Sequence, residues 1–302
     1  MTIKDSLISL LIIFIWGFNF VVISWGVDDL PPLFMGAARF LLVASLGSLF
    51  IKKPDIPWRW MAAYSLTLCF GQFALLFSAM AFGMPAGLAS LVLQSQAVFT
   101  LILSALFLHE TIKINQIIAM IFAGIGLSII GFTGEHGNMT VIGFALTIAA
   151  AISWASGNVC NRMINQRGYQ SNTGLVVWSS WIAMIPFFLT SLLFEGSDAI
   201  LSSLQQSSFT TVFVIFYLAV AASILGYSLW SYLLSQYPAG QVAPLTLGVP
   251  VVGIICAALF LNESISEQQY LGILGICLVM VGLVINAVGG RWFKCFSRST
   301  VS

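Results

Sequence analysis

The sequence predicts an all-α membrane protein of ten transmembrane helices, built as a 5+5 inverted repeat. Composition, a long internal repeat and the placement of basic residues carry this prediction. Of 302 residues 59% are hydrophobic and only 7% charged, with a mean hydropathy of +1.01, whereas a soluble domain carries roughly 25% charged residues. Residues 85–112, PAGLASLVLQSQAVFTLILSALFLHETI, return without a gap 153 residues later as PAGQVAPLTLGVPVVGIICAALFLNESI. Solenoid repeats recur every 20–50 residues or so, so a period of half the chain means two copies of one unit.

A span needs about 20 mostly apolar residues, and the chain divides accordingly. The first lies near residues 7–27; its apolar run is too long for the core of a cleaved signal peptide, about 7–15 residues. Asp28, Asp29, Pro31 and Pro32 turn the chain into a second span near 32–51, which contains Arg39. A polar loop with Lys52, Lys53, Asp55 and Arg59 precedes a third near 60–82, a fourth near 87–108 and a fifth near 114–132. Glu135, His136, Gly137 and Asn138 separate the halves. The remaining spans fall near 141–159, 174–194, 212–234, 241–261 and 270–288. The units are then 1–134, 138–290 and a tail at 291–302. Trp60 and Trp292 sit where interfacial anchors belong.

Basic residues set the orientation. With the N-terminus inside and the spans alternating, Lys4, Lys52, Lys53, Arg59, Lys113, Arg162, Arg167, Arg291, Lys294 and Arg298 all fall on the cytoplasmic side. The outside receives Asp28, Asp29, Glu135, Glu195, Asp198, Glu263 and Glu267 and no basic residue. Both termini are thus expected inside. Each half holds an odd number of spans, so the second copy enters from the opposite face. That architecture places a substrate site near the midplane. The sixth span echoes the first: Trp16-Gly17-Phe18-Asn19 against Trp154-Ala155-Ser156-Gly157-Asn158, with one inserted residue.

Other classes find little support. The net charge of +1 and the lack of a basic, aromatic-interleaved patch argue against nucleic acid. The cysteines Cys69, Cys160, Cys256, Cys277 and Cys295 lie in or beside apolar runs at no metal-binding spacing, so no metal or cofactor is expected. An intramembrane enzyme needs acids, bases or metal ligands at depth. Yet His109 and His136 sit near span ends, and no Asp or Glu is mid-span. Neither a charged ring nor a filter loop marks a channel.

The segments WGFNFVVI (16–23), PPLFMGAARF (31–40), FGMPAGLASLVLQSQAVFT (82–100), AISWASGN (151–158) and APLTLGVPVVG (243–253) resemble the EamA family of the drug/metabolite transporter superfamily. The likeness spans nearly the whole chain in the same order. It implies a bacterial inner-membrane carrier exporting small amino-acid metabolites such as cysteine and O-acetylserine, with glutamine and asparagine also in range. Exporters of other metabolites or drugs share this plan.

Polar side chains in mid-span are the candidate site, because lipid excludes them unless they meet partners or water. Arg39 lies about 12 Å into its span at 1.5 Å per residue, with no mid-span acid to pair with. A substrate carboxylate fits it; a structural cation bonded to carbonyls is the alternative. Asn19 and Asn158 sit beside Trp16 and Trp154 in paired spans, suited to substrate contact or to interhelical amide bonds. Gln72, Gln94 and Gln96 add amides; the last two are about 200° apart on a helix and cannot share one face. Tyr227 and Trp230 do share a face, for aromatic packing or for lining a cavity. Pro244, Gly248 and Pro250 set the ninth span apart from its partner, and Pro250 predicts a mid-helix kink. Ala119/Ala123 and Gly272/Gly275 are small-residue faces for tight packing or a homodimer contact.

Overall fold

A computed structural model describes residues 1–112, 114–133, 139–169, 173–237 and 248–264, with positions 242, 245, 246, 270 and 274. The remainder of the expected tenth span, the tail, Pro244, Trp292, Gly272 and Gly275 lie outside that set, as do the side chains of Ala119 and Ala123.

The described chain is helical, and its punctuation follows local chemistry. Helix α1 (Ile3–Asp29) begins where the Thr2 hydroxyl accepts from the Asp5 amide at 3.2 Å. It ends at Leu30, ahead of two prolines. Pro32 opens α2 (Pro32–Phe50), where its missing N–H leaves nothing unsatisfied. The third pass, Trp58–Ala81, comprises α3 (Trp58–Tyr64), a π segment (Ser65–Gly71) and α4 (Gln72–Ala81). The fourth joins α5 (Ala86–Val92), a 3-10 turn (Leu93–Ser95) and α6 (Gln96–Leu108). Then come α7 (Ile114–Thr133), α8 (Val141–Gln166), α9 (Thr173–Phe194) and a short connecting helix α10 (Ser197–Gln205). The pass Phe209–Gln236 comprises α11 (Phe209–Phe216), a second π segment (Tyr217–Leu225) and α12 (Gly226–Gln236). Helix α13 (Gly248–Phe260) follows. Among the described residues seven helical stretches are long and apolar enough to cross a membrane. α7, with 20 residues, and the shorter α13 add to these.

The internal repeat is legible in backbone detail. His109 and Asn262, 153 residues apart, both take φ 53° after α6 and α13. His and Asn are among the residues that tolerate this left-handed cap. Both caps close alike, the Glu110 amide on Ser104 O at 3.4 Å and the Glu263 amide on Ala257 O at 3.3 Å. The first π segment, Ser65–Gly71, corresponds at that offset to positions within the second, Tyr217–Leu225, and the 3-10 turn at Leu93–Ser95 has 3-10 residues 245–246 near its counterpart positions.

Long-range contacts give the directions. The Glu263 carboxylate, past the end of α13, accepts from the amides of Ala86 and Gly87 at 2.7 and 2.9 Å. The last turn of one copy thus lies at the first turn of the other, so these paired helices run in opposite senses. On the same face Glu195 caps Leu33 and Phe34 at 2.7 and 3.0 Å. There too Asp29 accepts from Ser208 and Thr211, and Thr140 donates to Phe82 O. The opposite face carries Asp5 with Tyr232 and Tyr237, Trp178 on Ile51 O, and Arg162 with Glu110. The first face is therefore rich in carboxylates, and the second holds Lys4, Lys52, Lys53, Arg59, Arg162 and Arg167.

The halves interlock. α1 packs on α13 and on the second π segment, while α8 packs on α4, α6 and the first π segment. Each half lends its opening helix to the other. Between them α2 and α9 run antiparallel and close, Gly36 against the Phe187 ring and Gly47 against Val177. Gly17 likewise lets α1 approach Val249 and Val252 of α13.

Two further prolines fall within the described helices. Pro250 falls within the first turn of α13 as described, Gly248–Phe260, after 3-10 residues 245–246. In the other copy the 3-10 turn Leu93–Ser95 holds no proline. Pro186 lies inside α9, where the Thr190 hydroxyl donates to Pro186 O at 2.6 Å.

Candidate functional site

The site is built where a π segment frees backbone carbonyls. A π turn bonds i to i+5 and widens the helix, leaving carbonyls for side chains to take. In the second segment Ser223 donates to Leu218 O at 2.8 Å, five residues back. Trp16, arriving on α1 from the other half, donates through Nε1 to Ala222 O at 3.1 Å. In the first segment Ser153, arriving on α8, takes Thr67 O at 2.7 Å. The same device thus operates in both halves.

Arg39 reaches this framework from α2. It is 2% exposed, so snorkelling to the surface is not its role. Its Nε and Nη2 donate to Ser223 Oγ at 3.3 and 3.0 Å. The guanidinium carbon lies 3.9 Å from the Phe73 ring centroid, 5.3 Å from Phe40 and 5.9 Å from Phe77, within cation–π range. Nη1 is buried with no hydrogen-bond partner. A desolvated cation with one open prong facing no carboxylate suits an incoming anion.

Trp16 joins this centre to the aromatic residues of α12. Its ring lies 5.5 Å from both Tyr227 and Trp230. Below it, Ser9, Ile12, Ile13, Trp16, Trp230, Leu233, Leu245, Thr246 and Val249 line a cleft too narrow for a water molecule. Gly248 packs against Ile13 beside it.

The sequence-derived residues therefore divide. Arg39, Trp16, Tyr227 and Trp230 come together around the second π segment. Asn158 and Gln96 do not join them: Asn158 Nδ2 donates to Gln96 Oε1 at 2.8 Å and to Thr100 Oγ1 at 3.3 Å, an α8–α6 link. Gln94 sits half-buried in the 3-10 turn, and Gln72 is buried just past the first π segment. Asn19 is buried with Oδ1 unpartnered. Sequence reasoning missed Ser223 and Phe73. A hydroxyl or a ring within an apolar span is ordinary and gave no signal. Among the described residues no cluster of three His, Cys, Asp or Glu is placed to hold a metal ion.

Apolar helices crossing back and forth, with inverted halves and a buried arginine between them, define a multi-pass membrane protein of transporter type. The sequence profile of the EamA-like transporter family matches residues 4–132 and 141–287, and the chain belongs to that family. It is 44% identical over 300 residues to the Escherichia coli (strain K12) protein named "Probable amino-acid metabolite efflux pump", covering 96% of this chain and 97% of that one. A Salmonella typhimurium protein of the same name is 46% identical over 297 residues, with 95% and 96% covered. A crystal structure of another protein shares the fold, with a TM-score of 0.63 over 95% of this chain and 98% of that one at 16% identity.

Proposed function

We propose that this protein is a bacterial inner-membrane carrier that exports small zwitterionic amino-acid metabolites, cysteine and O-acetylserine among them, by alternating access. The basic face is cytoplasmic, with the N-terminus inside. The observation that carries the reading is Arg39 Nη1, buried and unpartnered in a site without a carboxylate. An amino-acid carboxylate completes that guanidinium, and the inverted halves supply two arrangements around it. The names of the two relatives support the substrate class.

The test is counterflow in proteoliposomes at matched protein levels. Arg39→Lys keeps the charge but loses the two-pronged geometry and should weaken exchange of labelled cysteine, while Arg39→Ala should abolish it. In the parent, cysteine should compete and its methyl ester should not. Equal competition by both compounds refutes carboxylate recognition.

A second reading has its own observation. Phe40, Phe73 and Phe77 ring the guanidinium, and Trp16, Tyr227 and Trp230 cluster against the same π segment, which favours larger apolar metabolites or drugs. Preference for aromatic amino acids over cysteine, O-acetylserine, glutamine and asparagine in the same exchange assay selects it.

A further inference from the structure

A second polar feature lies away from Arg39, along the seam between α6 and α8. Gln96, Thr100 and Ser104 are spaced four residues apart and share one face of α6. Asn158 and Arg162 match them on α8. Asn158 Nδ2 bonds Gln96 and Thr100, and Arg162 Nη1 donates to Ser104 Oγ at 3.0 Å. The ladder ends in an ion pair, Arg162 Nη2 to Glu110 Oε1 at 2.5 Å, with side chains 46% and 38% exposed. It therefore runs from mid-span to the basic face.

The other half of the molecule tests whether the fold needs this ladder. The equivalent seam is α1 on α13, where Gln96, Thr100 and Ser104 correspond to Val249, Gly253 and Ala257, and Arg162 to Ile23. That seam holds one amide, Asn19, the counterpart of Asn158, and is otherwise apolar, with Ile23 and Ala257 buried and Gly17 admitting Val252. The same helix pair thus packs without the hydroxyls, the Gln96 amide or the guanidinium. Polar groups at depth are costly in lipid, so packing does not account for their presence in one copy alone. Ser95 Oγ, next to Gln96, and Asn161 Oδ1, between Asn158 and Arg162, are buried without a partner. The chain's own groups leave them unsatisfied. Glu110 differs from its counterpart too: Glu263 is spent on backbone amides, whereas Glu110 faces a side chain that can let go.

We infer that the α6–α8 seam is an entry track for zwitterions. Arg162 and Glu110 form its vestibule: the substrate carboxylate takes Arg162, its ammonium takes Glu110, and the hydroxyls and amides of Ser104, Thr100, Asn158 and Gln96 follow in order towards mid-span. An intramolecular ion pair is the stand-in for the amino acid that divides it. This rests on the export reading above and adds a first recognition point before Arg39.

The experiment ranks competitors of cysteine counterflow in the parent, Arg162→Gln and Glu110→Gln proteins, using cysteine, cysteine methyl ester and N-acetylcysteine. Removing either partner of a charge-assisted pair should raise the half-saturating cysteine concentration about tenfold. The ranking of the analogues should also split. N-acetylcysteine, which lacks the ammonium, should gain on cysteine only in Glu110→Gln, and the ester should gain only in Arg162→Gln. A purely structural ion pair lowers protein abundance or maximal rate and leaves the ranking unchanged, and that result overturns the track. The Thr100→Val and Ala257→Ser pair guards against misfolding. The first should slow exchange, whereas the second, in the α1–α13 seam, should not; equal effects overturn the proposal. Absence of any amino-acid counterflow in the parent refutes the export reading instead.

Discussion

Replacing Glu263 by glutamine separates two glutamates that the sequence presents as equivalent. Glu263 accepts from two backbone amides at the first turn of α5, at 2.7 and 2.9 Å. Its counterpart Glu110 pairs with Arg162, both more than a third exposed. A hydrogen bond to a charged group nets about 1.5–3 kcal/mol, against about 0.5–1.5 for a neutral one. Glutamine offers one neutral acceptor to these donors and turns an NH₂ towards the other, so Glu263→Gln should cost about 2–4 kcal/mol. The helix dipole it complements adds to the same side. Glu110→Gln should cost only about 0–1 kcal/mol, because an exposed pair is screened and loosely held. The assay is unfolding of purified protein in mixed micelles with increasing dodecyl sulfate, followed by tryptophan fluorescence. Glu263→Gln should move the midpoint well below the parent while Glu110→Gln barely moves it. Equal shifts, or a larger shift for Glu110→Gln, refute the assignment of Glu263 as a helix-capping clamp.

Two further outcomes follow from packing and charge. Gly36→Ala drives a methyl into the Phe187 ring and should lower stability by about 1–3 kcal/mol; Phe187→Leu in the same chain should recover part of it, and no recovery refutes the α2–α9 contact. In intact cells the proposed orientation, acidic face outward, predicts that an impermeant thiol reagent labels a cysteine at position 197 and misses one at position 53; labelling at 53 reverses the orientation.

The spans were legible because lipid demands long apolar runs and because lysine and arginine sort to one side. The repeat was legible in its letters, PAG and LFL at a fixed offset, and the structure converts these into matching left-handed caps at His109 and Asn262. The π segments left no trace: Ser65–Gly71 and Tyr217–Leu225 have the composition of any apolar helix, and only the carbonyls they free give them meaning. Arg39 stood out as a cation without an acid, but its hydroxyl partner Ser223 lies 184 residues away and nothing local points to it. Gln96 and Asn158 were legible one by one as mid-span amides; that they meet each other, and not Arg39, depends on α8 crossing to the other half. Pro186 lies in an otherwise unbroken apolar run, and nothing local marks it as the proline inside a long helix.

The exchange of opening helices has a consequence for how the protein is made. Trp16 is made 206 residues before Ala222, whose carbonyl satisfies its indole. At about 5–20 residues per second, α1 waits about 10–40 s in the bilayer with Trp16 unclaimed. α8 meets no such delay. Thr67 and Gln96, which Ser153 and Asn158 bind, have already been synthesised when it emerges. The nascent chain therefore has the main partners of α8 in hand as that helix emerges, whereas α1 can complete its contacts only when α12 and α13 have been made.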